Sequence, residues 1–186
     1  MAGVARDRNR TRAGDMFRSL AVILLPILVI GALLTRTLDD YPVQAVEVAP
    51  HLERARAEAP FPVLAPVQLP EGWVPTRATW VAQGERALND EPSPRNQWTL
   101  GYLDPSETYL SVEQGDGPVE TYLVEATREG RPEATSQVGE QTWQQYLSAD
   151  GRTRSLVLTE PAVTTVVSGD VPYEELVAFA GTLSTG

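Results

Sequence analysis

The pattern of apolar and polar positions changes character twice along this chain. From Ser19 to Thr35 it reads SLAVILLPILVIGALLT, seventeen residues without a charge between Arg18 and Arg36. At about 1.5 Å per residue, a helix over this run is roughly 25 Å long. That is short for a bilayer core of about 30 Å but inside the tolerated range. A buried helix of a water-soluble domain would show a polar face, and Leu20 to Leu34 has none. The run therefore predicts a transmembrane helix over 19–35, extended inward by Met16 and Phe17 and bent at Pro26. Arg18 is placed to snorkel toward headgroups. A cleaved signal peptide is the alternative, since the start is basic, but the nearest small-x-small site, Val43-Gln44-Ala45, lies well past the apolar core.

From Thr76 onward the apolar period becomes two. RATWVA (77–82), QWTLGYL (97–103) and TYLSVEQ (108–114) alternate as strands do. TSQVGE (135–140), QTWQQYLSA (141–149), TRSLVLTE (153–160) and AVTTVVSG (162–169) follow the same rule. Turn residues separate them: Asn89 to Pro94, Asp104-Pro105, Gly115-Asp116-Gly117-Pro118, Ala149-Asp150-Gly151 and Glu160-Pro161. Helical spacing returns in three places. Residues 49–59 carry Leu52, Ala55 and Ala59 beside an Arg54–Glu58 pair. Residues 118–128 carry Val119, Tyr122, Leu123 and Ala126. A last helix opens at Pro172, with Glu174 and Glu175 at its positive end and a stripe of Tyr173, Leu176, Val177, Ala180 and Leu183. The order βββα then ββββα predicts an α+β domain, an antiparallel sheet of about seven strands with helices packed on one face.

Between the short helix and the first strand lie Pro60, Pro62, Pro66, Pro70 and Pro75, interleaved with Phe61, Val63, Leu64, Val67 and Leu69. Extended, proline-rich backbone packed on a domain surface is the expectation. Leu69-Pro70-Glu71-Gly72-Trp73 reads as a tight turn that pins Trp73 against the core at the mouth of the domain.

Charge sets the topology. Arg6, Arg8, Arg10, Arg12 and Arg18 precede the span against Asp7 and Asp15, whereas Asp39, Asp40 and Glu47 follow Arg36. Positive flanks stay cytoplasmic, which predicts a cytoplasmic tail over 1–18 and an exterior for everything past the span. The exterior divides into a juxtamembrane linker with a short helix, 36–59, and an extracytoplasmic α+β domain, 60–186. The net charge of −10, less +3 before the span and +1 for Arg36, leaves −14 beyond it. An acidic exterior disfavours nucleic acid as a partner. The lipid bilayer, through residues 19–35, and other envelope proteins remain as partners.

The inventory of reactive groups is thin. There is no Cys, all 15 basic residues are Arg, and His51 is the one His. That removes disulfides, thiolate chemistry and Ser-Lys chemistry, and leaves Ser nucleophiles without a second candidate base. The sequence predicts no catalytic, metal or cofactor-binding residues, no cofactor, and no enzyme. Trp73, Trp80, Trp98 and Trp143, with Tyr102, Tyr109 and Tyr146, either form core or line a groove for lipid, glycan or peptide.

Several motifs resemble those of the domain-of-unknown-function family 4245. They are Gly14-Asp15-Met16-Phe17-Arg18-Ser19-Leu20 running into the span, Pro62-Val63-Leu64-Ala65-Pro66, Leu69-Pro70-Glu71-Gly72-Trp73, and Val166-Val167-Ser168-Gly169 before an amphipathic helix. The resemblance implies a single-pass, membrane-anchored actinobacterial envelope protein and adds no chemistry. The function expected is a non-catalytic binding or complex-accessory module of the cell envelope. The alternative is a small-ligand binding protein, for lipid or glycan, with an aromatic groove.

Overall fold

The structure, a computed structural model, describes residues 8–38, 44–86 and 90–185, with the side chains of 16–32 described in the first helix. It divides into two compact units, Met1–Pro42 and Val43–Gly186.

The first unit contains α1 (Arg8–Leu38), with Pro26 inside it. Its large apolar side chains from Leu20 to Ile30 are 45–72 % exposed. Among the described residues no helix is long and apolar enough to cross a membrane. The side chains of residues 33–35, which complete the predicted span, lie outside the described set, as do the tail 1–7, the linker 39–43 and loop residues 87–89.

The second unit is α+β. It holds α2 (Val48–Glu58), β1 (Ala65–Pro66), β2 (Val74–Val81), β3 (Gln97–Leu103), β4 (Tyr109–Gly115), α3 (Val119–Ala126), β5 (Arg131–Val138), β6 (Gln141–Leu147), β7 (Arg154–Thr159), β8 (Thr164–Gly169), α4 (Tyr173–Ala180) and β9 (Leu183–Ser184). Seven strands form one antiparallel sheet in the order β2-β3-β4-β8-β7-β6-β5. The chain makes one meander, crosses by α3 to the far edge, and returns strand by strand until β8 closes against β4.

Side chains alternate across a sheet, so neighbours in sequence face opposite ways. One face carries Ala78, Trp80, Trp98, Leu100, Tyr102, Leu110, Val112, Leu156 and Val167, joined to Ala55 of α2 and to Leu176, Phe179 and Ala180 of α4 in one core. The other face carries Val157 and Val166, packed with Tyr122 of α3 in a separate, smaller cluster. The expectation that the helices share one face is therefore corrected: α2 and α4 cover one face and α3 covers the other. The reason is topological. A helix joining β4 to β5 must pass over the sheet, and the other face is already filled by α2, α4 and the proline segment.

Two other expectations shift. The fifth strand in chain order, β5, opens at Arg131 rather than 135, and Gly139-Glu140 forms the hairpin turn, with Gly139 at φ +59°. Arg131 and Pro132 are the first residues of β5. Arg128 and Glu129, both at φ 56°, reverse the chain at once, and Pro132 is tolerated because β5 is an edge strand. The buried stripe of α4 is Leu176, Phe179 and Ala180, and Leu183 has left the helix to pair in β9.

The proline segment is held by hydrogen bonds from the sheet. Gln114, 1 % exposed, accepts from the Leu64 amide through Oε1 at 2.7 Å and donates through Nε2 to the Pro62 carbonyl at 3.2 Å. The Trp98 indole donates to the Leu64 carbonyl at 3.0 Å. Backbone that has no ladder of its own thus finds partners, while Phe61, Val63 and Ala65 drop into the core. The β1–β9 bridge and a bond from the Val67 amide to the Thr182 carbonyl, 3.0 Å, tie it to the C-terminal end.

Candidate functional site

Three of the four tryptophans are core. Trp80, Trp98 and Trp143 are 4 %, 0 % and 2 % exposed. Trp80 donates its indole N–H to Glu58 Oε2 at 2.8 Å. Glu58 in turn accepts from Arg54 at 3.0 Å, and Arg54 reaches Glu85 at 2.6 Å. Hydrogen bonds from Arg54 and then Trp80 hold the Glu58 carboxyl below the usual carboxylate range. Glu85 is lowered by the Ala82 amide and by Arg54. Trp143 Nε1 is buried without a hydrogen-bond partner.

Trp73 differs. The turn before it is as expected, with Gly72 at φ +90° and Pro105 packed 3.1 Å from where a Cβ would sit. The ring is partly buried and stacks on Phe179, with centroids 5.5 Å apart and planes within 7°. Tyr102 meets the same Phe179 edge-on at 6.2 Å, and burial pushes its hydroxyl pKa up. Trp73 is therefore both pinned against the core, as its turn requires, and part of a surface. It lines a groove of about 330 Å³ with Leu69, Pro70, Leu110, Ala178 and Phe179, and the carboxyl-bearing Asp104 and Glu175 complete the lining with Thr182. The size lies at the small end of ligand sites.

Sequence reasoning named Trp73 but missed Phe179, its partner. The signal was present, because Phe179 stands three residues after Leu176 and so shares its face of α4. Asp104 is legible only as a turn residue, and it does fill that role, its Oδ1 accepting from the Ser106 and Thr108 amides at 2.7 and 2.8 Å. Tyr109 and Tyr146 lie on the opposite face of the sheet, away from the groove. His51 is exposed on α2. Asp116 is engaged by the Asn96 amide and side chain at 2.9 and 2.6 Å, which fixes its turn.

The second unit is thus an α+β domain with a seven-stranded sheet, helices on both of its faces and an open apolar groove. A family model described as "Protein of unknown function (DUF4245)" matches residues 8–183, and the chain belongs to that family. No curated protein matches it.

Proposed function

We propose that this protein is a membrane-anchored, extracytoplasmic, non-catalytic module that docks a partner polypeptide of the cell envelope in the groove at Trp73. The observation that carries the reading is the Trp73–Phe179 stack, whose aromatic surface lines an open apolar groove. Rigid aromatic anchors set in a groove are what binding hot spots are made of. The occupant is an apolar side chain flanked by Lys or Arg. Leu69, Pro70, Leu110 and Ala178 suit the apolar part, Asp104 and Glu175 suit the basic flank, and the −14 charge beyond the span steers a basic partner toward the domain.

The anchor rests on the uncharged run 19–35, on the helical backbone that carries it, and on the exposure of Leu20 to Ile30. Contiguous exposed apolar surface of this kind fits lipid rather than water. The arginine asymmetry sets the N-terminus inside. The absence of Cys and Lys, and the position of His51 outside the groove, favour binding over catalysis.

A photo-crosslinking residue at Ala178 in the full chain, expressed in its native membrane, tests the reading. The crosslinked peptide should map to a large apolar residue with Lys or Arg close by, and Glu175→Lys should abolish it. Crosslinks to lipid alone, or to a peptide whose capture ignores Glu175→Lys, would refute it.

A further inference from the structure

The face of the sheet under α3 is polar where the other is apolar. Strand register places Arg77, Gly101, Ser111, Ser168 and Ser155 in one row across β2, β3, β4, β8 and β7. Ser111 Oγ and Ser168 Oγ are 2.9 Å apart. Ser155 Oγ is buried with no hydrogen-bond partner, so the row has unused hydrogen-bonding capacity. Gly101 leaves a bare spot that the Tyr109 ring covers, and a Cβ there would come within 2.6 Å of Tyr109 Cζ. The ring remains 37 % exposed.

Beside this row opens a concavity of about 300 Å³, lined by Tyr109, Arg128, Thr153, Ser168, Asp170 and Glu107 among others. That is the room of about ten waters, enough for a sugar ring. Arg128 donates to Thr153 Oγ1 at 3.1 Å and Thr153 donates to Asp170 Oδ1 at 2.6 Å, so cation, hydroxyl and carboxylate are already set in order. Arg77 and Arg128 both act electrostatically on Tyr109 and on Glu113.

We propose that this concavity binds a neutral saccharide. The mixture of charges decides the class. An anion would meet Asp170 and Glu107. A cation would meet Arg128, and among the described residues no group of three metal-binding side chains forms. A hydroxyl group suffers neither conflict, because it donates to a carboxylate and accepts from a guanidinium or a serine at once. A run of adjacent hydroxyls on a ring matches Asp170, Arg128 and Ser168, and the ring's C–H face matches the exposed Tyr109 ring. The site lies on the opposite face of the sheet from the groove and stands or falls separately from it.

The test uses the full chain in a zwitterionic, sugar-free detergent. Saturation-transfer NMR is run against neutral oligosaccharides of glucose, galactose, mannose and N-acetylglucosamine, with inorganic phosphate and calcium as competitors. At least one sugar should receive saturation and bind in the millimolar range. Arg128→Gln and Asp170→Asn should each weaken it about tenfold, the worth of one charge-assisted hydrogen bond. Ser168→Ala should weaken it by a smaller factor, and since it removes only one oxygen it serves if the other two variants lose their fold. Neither phosphate nor calcium should displace the sugar. No transfer to any sugar of the set, undiminished binding in every folded variant, or displacement by phosphate or calcium would overturn the proposal.

Discussion

The two faces of the central sheet are built from the same seven strands and differ in almost everything else. Under α2 and α4 the inward positions are Trp80, Trp98, Leu100, Val112, Leu156 and Val167, with a buried polar pair, Gln114 and Thr165, of which Gln114 clamps the proline segment. Under α3 they are Thr99, Ser111, Glu113, Ser155 and Thr164, with apolar contact limited to Val157, Val166 and Tyr122 and the partly buried Leu123, Ala126 and Tyr146 around them. Burial of apolar area is the main source of stability, so the first face holds the fold together. The second is buried at lower gain, and its hydroxyls need partners wherever water is excluded. A surface of that kind can bind polar ligands at little cost to the fold.

The largest effect that sharpens this contrast is expected from Trp98→Ala. It removes a fully buried ring and the donor to the Leu64 carbonyl, at a cost of about 3–5 kcal/mol or somewhat more, against the roughly 5–15 kcal/mol that holds a domain together. Ser111→Ala on the other face should cost no more than about 1.5 kcal/mol. Denaturant midpoints of the two variants compare the faces directly, and similar losses would erase the distinction. Trp73→Ala falls between them, at about 2–3 kcal/mol, because its ring is only partly buried.

Next comes Gln114→Ala. It strands the Leu64 amide and the Pro62 carbonyl, at about 1–3 kcal/mol, and should open residues 60–66 to proteolysis before the sheet unfolds. Cleavage that begins elsewhere would mean that side-chain burial alone holds the segment.

The polar face has its own pH signature. Burial lifts the Glu113 carboxyl above the ordinary carboxylate range, while Arg77 and Arg128 pull it back in part. A raised value in the fold means that the protonated form is favoured there. Its stabilising contribution is complete below the unfolded value and is lost as pH rises through the folded one. Glu113→Gln should therefore leave the melting midpoint nearly unchanged below about pH 4 and raise it at neutral pH. A variant less stable than the parent at neutral pH would contradict the assignment.

The smallest effect is expected from Trp143→Phe. Its indole N–H is buried without a partner, so the loss of ring volume is offset by the loss of an unsatisfied donor, and the net change should stay within about 1 kcal/mol. Trp98→Phe, which strands the Leu64 carbonyl, should cost more in the same assay.

Much of this fold is legible in the residues. The alternation in QWTLGYL and the Ala149-Asp150-Gly151 turn fix strands and hairpins by local rules, and Gly151 at φ +72° is where the turn needs it. What is not legible is non-local. Nothing in the spacing of Tyr122, Leu123 and Ala126 says which face of the sheet α3 covers, since strand order decides that. Gln114, at a strand end beside Gly115, reads as solvent-exposed. Its burial follows from a segment 50 residues earlier in the chain lying across it. The groove needs Trp73 and Phe179 together, and they are more than a hundred residues apart. For Trp73 the turn before it points to the core, and for Trp80, Trp98 and Trp143 the residues leave core or groove open.

That division is also the claim most open to direct test. The full chain can be labelled with 5-fluorotryptophan and read by fluorine NMR against a soluble paramagnetic agent, with each of the four resonances assigned by a single Trp→Phe variant. The Trp73 resonance should broaden strongly, and those of Trp80, Trp98 and Trp143 should stay sharp. Equal broadening of any of those three, or a Trp73 signal that the agent leaves untouched, would contradict a sheet whose core holds three tryptophans and whose groove displays the fourth.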